Sequence, residues 1–219
     1  MNNKKKTFLI TLSLILVLGL GVLGAYAFFT DTTNVKENIF TVGKVELTLD
    51  ETDFDDSTPE ADRDISNTYK MIPGVTLAKD PTVTVKAGSN DCWVFVEVTD
   101  EAKEYNGTTY KASDFLTYSI TTQTDGVSKW NKLEVENKDV YFCKVTNIVN
   151  DISLTVLDNN EVVVKDTVTE TMMNDLIAAD GEPNLLFKAY AFQLQKGDTN
   201  SDGVVEAFTA LEAWQQLNP

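Results

Sequence analysis

The chain has 219 residues, with 18 Lys and Arg against 34 Asp and Glu, a formal net charge of −16 and no histidine. This acidic balance argues against nucleic acid or anionic lipid as a direct partner. Without histidine the chain can build no Ser-His-Asp triad, no Cys-His pair and no HExxH zinc site.

The N-terminus carries Lys4, Lys5 and Lys6, then an uncharged apolar run over 8–24, then Ala25-Tyr26-Ala27. A positive start, an apolar stretch and small residues at −3 and −1 predict a secretory signal peptide over 1–27, cut between Ala27 and Phe28. The apolar run of about 17 residues lies at the lower edge for a spanning helix, so an uncleaved membrane anchor is the alternative. The leader takes three lysines and no acid with it. What remains, 28–219, has the size of one domain and is more acidic still.

The rest of the chain reads mostly as short strands. In "NIFTVGKVELTLD" (38–50), Phe40 and Val42 share one parity, and Val45, Leu47 and Leu49 take the other after Gly43. A parity change at glycine suggests a bulge or bend. "DETDFDDSTPEADRD" (50–64) is an acidic loop. Pro73-Gly74 predicts a turn, and a strand follows at 82–86. "DCWVFVEVTD" (91–100) is the clearest central strand, with Cys92, Val94, Val96 and Val98 on one face. Asn106-Gly107 is a hairpin-turn signal; the Asn-x-Thr sequence it opens implies no more than that turn. Further strands are expected near 115–121, 129–135, 139–148, 152–157 and 161–166. A short helix is expected over 169–179, capped by Thr167 or Thr169, and a strand over 184–195. From Val204 onward, Ala207, Phe208, Leu211, Trp214 and Leu217 recur at helical spacing. The fold class is therefore mainly β, a jelly roll or β-sandwich with one or two short helices.

The two cysteines, Cys92 and Cys143, both fall on faces that point into a core. Outside the cytoplasm they suit a disulfide closing a long loop; two buried free thiols are the alternative. Trp93, Trp130 and Trp214 read as core residues, and only an exposed tryptophan would argue for a sugar platform.

The leader, then "GAYAFFTD", then Asn38, Phe40, Gly43 and Leu47 in an N-x-F-x-x-G-x-x-x-L pattern, resemble the SipW-type signal peptide and N-terminus of the TasA/camelysin family of secreted Gram-positive proteins. "MIPGVTLAKDPTVTVKAGSNDCWVFVEV" is similar to that family's Pro-Gly turn and strand pair, and "LFKAYAFQLQ" with "EAW" to its usual ending. The resemblance implies a jelly-roll domain and export processed by a dedicated signal peptidase. It also implies a role in the cell envelope or biofilm matrix, with self-association into fibres. There a donor strand at the new N-terminus, here Phe28, Phe29, Thr30, Asp31 and the residues to about 38, would complete the sheet of the next copy. The camelysin branch is described as metalloendopeptidase, which the missing histidines argue against.

"DTNSDGVVEAFT" (198–209) begins like a calcium loop. Asp198, Asn200 and Asp202 stand at positions 1, 3 and 5, and Glu206 at 9, but Thr209 occupies the place of the bidentate acid. An Asx-rich turn capping the last helix is the plainer reading. The acidic loop with Asp50, Glu51, Asp53, Asp55 and Asp56 is a second, weaker calcium candidate. No cofactor other than calcium is expected. The sequence thus predicts a secreted, non-enzymatic structural protein that touches the membrane only through its leader. A monomeric surface-binding module is the alternative.

Overall fold

Alternation along the strands sets the architecture. The computed structural model describes residues 44–55, 62–64, 67–122, 130–178, 184–197 and 204–217. All of them belong to one compact unit, Gly43–Pro219. Among the described residues the chain is mainly β, as its pattern predicts, with three short α-helices.

In chain order the strands are β1 (Leu47–Thr52), β2 (Arg63–Asp64), β3 (Thr76–Ala78), β4 (Thr82–Val85), β5 (Cys92–Asp100), β6 (Ala102–Tyr105) and β7 (Thr108–Lys111). Helix α1 (Ala112–Phe115) leads to β8 (Leu116–Thr117), β9 (Asn131–Leu133), β10 (Asp139–Val145), β11 (Ile152–Thr155) and β12 (Glu161–Val164). Helix α2 (Glu170–Ala178) precedes β13 (Leu185–Gln193), β14 (Gln195–Gly197), β15 (Glu206–Ala207) and helix α3 (Ala210–Leu217). One four-stranded sheet has the order β11-β4-β1-β2 and the other β13-β5-β10-β9, with antiparallel pairing throughout.

The two sheets share one core. Val83, Val85 and Leu154 come from the first sheet, and Val94, Val96 and Val145 from the second; all are buried. Val45, Leu47 and Leu49 pack against the same cluster, as their shared parity requires. β5 is buried on both faces. Its even residues face the sandwich, while Trp93 and Phe95 face a second cluster beneath α3 with Trp214, Ala210 and Ala213. Phe95 and Tyr190 each meet the Trp214 ring, at 5.4 and 5.3 Å between centroids. Rings with offset or edge-on geometry add stabilisation beyond the area they bury.

Both turn signals hold. Gly74 has φ +79°, and a Cβ there would lie 2.6 Å from Asp166 Oδ1. Asn106 and Gly107 both have positive φ and close the β6–β7 hairpin, as a type I′ turn demands. Thr169 caps α2, accepting from the Met172 amide at 3.2 Å.

Three expectations change. The strand expected near 115–121 is replaced by α1, the two-residue β8 and an isolated bridge from Ile120 to Leu157. The apolar spacing from Val204 is not one helix: Glu206 and Ala207 pair with Gln195 and Gly197 across the β14–β15 hairpin, and the helix starts only at Ala210. Val204 is 60 % exposed, so its place in the spacing was fortuitous. The helix start belongs to Thr209, not to Asp202 or Asn200. The Thr209 amide donates to Glu212 Oε2 at 2.9 Å, and the Glu212 amide donates back to Thr209 Oγ1 at 3.2 Å, a capping box.

The cysteines are both free and buried. Cys92 is in register with Val145 and Cys143 with Val94, which makes the thiols diagonal neighbours on one face. Diagonal positions lie about 7–8 Å apart, beyond the ~7 Å a bridge spans without backbone movement. The structure therefore holds two thiols in place of the expected bridge. Burial, helped by Asp91, pushes Cys92 up to about 11. Burial, helped by Cys92, pushes Cys143 up to about 12.

Candidate functional site

The acidic stretch 50–64 does not act as one cluster. β-alternation and the return of β2 onto β1 sort its carboxylates into three environments. Asp50 faces out and pairs with the Arg63 guanidinium. Arg63 Nη1 also reaches Asp80 Oδ2 at 3.1 Å, and Asp80 accepts the Thr52 amide at 2.7 Å and the Thr52 hydroxyl at 2.8 Å. Burial opposes ionisation of Asp80, but the Thr52 and Arg63 bonds outweigh it and hold its carboxyl below the usual range.

Glu51 faces inward and is only 7 % exposed; Lys79, 9 % exposed, meets it. Lys79 Nζ donates to Glu51 Oε1 at 3.2 Å and to Oε2 at 3.0 Å. The ammonium lies 5.0 Å from the Tyr69 ring centroid and 5.7 Å from that of Phe187. The Tyr69 hydroxyl stands 3.4 Å from Glu51 Oε2. Burial first, and then the Glu51 charge, push the Tyr69 pKa far above the usual phenol value. A buried ion pair is often no more stabilising than apolar residues of the same volume.

The pair forms part of the wall of a cavity of about 400 Å³. Leu49 and Glu51 of β1, Leu185 and Phe187 of β13, and Leu77 and Tyr69 are among its lining residues. The cavity lies along the flank of the sandwich between β1 and β13, where Leu77 of β3, Leu116 of β8 and Val162 of β12 also line it. Among the described residues no strand pairs with the outer edge of β13, and β1 has a partner on that side only at Glu51 and Thr52.

The third group is Asp53, Asp55 and Asp64. Their carboxylate oxygens lie within 4.8 Å of one another, and all three residues are half-buried. Three carboxylates supply part of the six to eight oxygens calcium takes. Asp64, from β2, could not have been assigned to this group from the sequence run alone, because it joins only when β2 folds back on β1.

The remaining sequence candidates fall elsewhere. The cleavage residues Ala25, Ala27 and Phe28, the donor residues Phe29, Thr30 and Asp31, and the calcium-loop residues Asp198, Asn200 and Asp202 lie outside the described residues. Glu206 is described, but it sits in β15, whereas the ninth position of a helix-flanked calcium loop opens the exiting helix. Trp130 and Trp214 are buried, at 2 % and 4 % exposure, and Trp93 Nε1 donates to the Phe208 carbonyl at 2.7 Å. Trp130 and Trp214 therefore offer no sugar platform. Among the described residues no helix is long and apolar enough to cross a membrane.

No family model matches the chain, and comparison with curated proteins and with solved structures gives no match. The resemblance described above stands on its residues alone.

Proposed function

We propose that this chain is a secreted structural protein of a Gram-positive extracellular matrix or cell envelope, working by assembly rather than by chemistry. The segment that begins at Phe28 after signal cleavage is donated to the open flank of the next copy. The observation that carries this reading is that flank. β13 offers nine residues of edge unpaired among the described residues, β1 runs beside it, and Leu49, Leu185 and Phe187 lie half-buried beneath them. A donated strand gains main-chain hydrogen bonds along the edge, and its alternate side chains enter the gap between the sheets. Donor and acceptor surfaces differ, so the contact is head-to-tail and propagates as a filament wherever its rotation does not close a ring. Calcium at Asp53, Asp55 and Asp64 is a proposed modulator of the same flank, since Asp53 and Asp55 follow directly on β1 and Asp64 lies in its partner strand β2.

The test compares protein starting at Phe28 with protein starting at Gly43, by sedimentation and negative-stain microscopy across pH and calcium. The longer form is expected to make filaments and the shorter to stay monomeric. Monomers from both forms under every condition would overturn the assembly reading.

A further inference from the structure

Resting on that assembly reading, we infer that the Lys79–Glu51 pair makes the flank cavity selective for a carboxamide side chain, Asn or Gln, on the incoming strand, the occupant being the 28–42 segment of a second copy. The inference starts from unused hydrogen-bonding capacity. A lysine ammonium carries three N–H donors. Glu51 is the acceptor of both bonds that Lys79 makes among the described residues, which leaves one N–H with no oxygen acceptor there, beside the Tyr69 and Phe187 rings. The Glu51 carboxylate has about four lone-pair sites. Lys79 and the long contact from Tyr69 leave at least one of them open.

The wall therefore presents one donor and one acceptor side by side, on a pair with no net charge. A carboxylate entering there would meet Glu51, and an ammonium would meet Lys79, each at the cost of a like charge nearby. A purely apolar group would leave both sites buried and unmatched. A carboxamide carries a carbonyl for Lys79 and an N–H for Glu51, and it brings no charge. Leu49, Leu77 and Leu185 then accept the aliphatic parts of the strand around it. The 28–42 segment suits this chemistry because it holds two carboxamides, Asn34 and Asn38, four residues apart and so on the same face of an extended strand.

The experiment uses the secreted form starting at Phe28. One variant carries Asn34→Leu with Asn38→Leu, and another carries Lys79→Met with Glu51→Leu, which removes the pair without leaving a lone buried charge. Each is expected to raise the concentration needed for filament growth roughly tenfold. The two combined should cost less than the product of the separate effects, because they remove one interaction. Circular dichroism confirms that each variant folds. Filaments growing as readily from both variants as from the parent would overturn the carboxamide assignment and leave the assembly reading intact. If the parent makes no filaments, the assembly reading fails. The assignment is then read from a labelled synthetic 28–42 peptide titrated onto the protein. Roughly tenfold weaker binding of its Asn34→Leu, Asn38→Leu version supports the inference, and equal or absent binding of both versions overturns it.

Discussion

The two sides of the β13-β5-β10-β9 sheet system meet their surroundings in opposite ways. The outer face is sealed: α3 lays Ala210, Ala213 and Trp214 over Phe95, Leu133 and Val140, and polar groups stay at the rim. There Glu97 accepts the Tyr190 hydroxyl at 2.9 Å and Lys138 at 3.0 Å, while Lys138 also covers the Trp214 ring. The flank beside β13 is left open among the described residues and carries a fully charged pair on its inner wall. Apolar burial is non-directional and stabilises whatever it covers. A buried ion pair contributes little net stability, but it dictates what can replace it. The seal thus serves the fold, and the flank is where the proposed donor strand would dock.

That contrast can be broken in measurable steps, the largest first. Trp214→Ala should destabilise the domain by about 3–5 kcal/mol, because it removes the ring that Phe95 and Tyr190 pack on. Urea unfolding of the secreted form measures this, and a loss below ~1 kcal/mol would show that α3 is not part of the cooperative unit.

At the flank, Lys79→Met alone should cost about 3–5 kcal/mol by stranding the Glu51 charge, whereas Lys79→Met with Glu51→Leu should be neutral or up to about 4 kcal/mol stabilising. The same denaturation curves decide it. A double variant as unstable as the single one would make the pair a plain structural element and erase the distinction between the two regions.

The smallest effects lie at the start of α3. Thr209→Ala should cost about 1 kcal/mol through the lost cap. Glu212 is held down at about 2 by the Thr209 amide first, then by Lys196 and the Thr209 hydroxyl. Its ordinary value is 4.5. A lowered folded-state value means that its contribution is full above about pH 4.5 and is lost as the pH falls through about 2. Glu212→Gln should therefore flatten the loss of stability between those limits, as read from urea midpoints at each pH. An unchanged slope would show that the capping box does not persist in solution. Asp80, also lowered, loses its contribution in the same direction at the flank. Asp80→Asn serves as the matched control.

Much of the sandwich was legible. "DCWVFVEV" places bulky apolar residues on both parities, the mark of a strand buried on both faces. Cys143 and Tyr141 share the face their alternation assigns. The site was not legible. Glu51 and Lys79 stand 28 residues apart, in stretches that read only as charged loop and turn. Asp50, Glu51 and Asp53 look equivalent in sequence, yet one pairs with Arg63 at the surface, one is buried and one joins Asp55 and Asp64.

The sequence by itself determined what depends on a few neighbouring residues. Strand parity, the Pro73-Gly74 and Asn106-Gly107 turns and a threonine cap at Thr167 or Thr169 follow from steric limits and hydrogen bonds that close within one turn of chain. Only the tertiary structure decided which charges leave water, that the two thiols lie diagonally, and that Glu206 joins a hairpin before α3 begins. Those outcomes depend on strand register between distant segments. The energy of a charge depends on distance and on the surrounding dielectric, and neither exists until the sheets have packed.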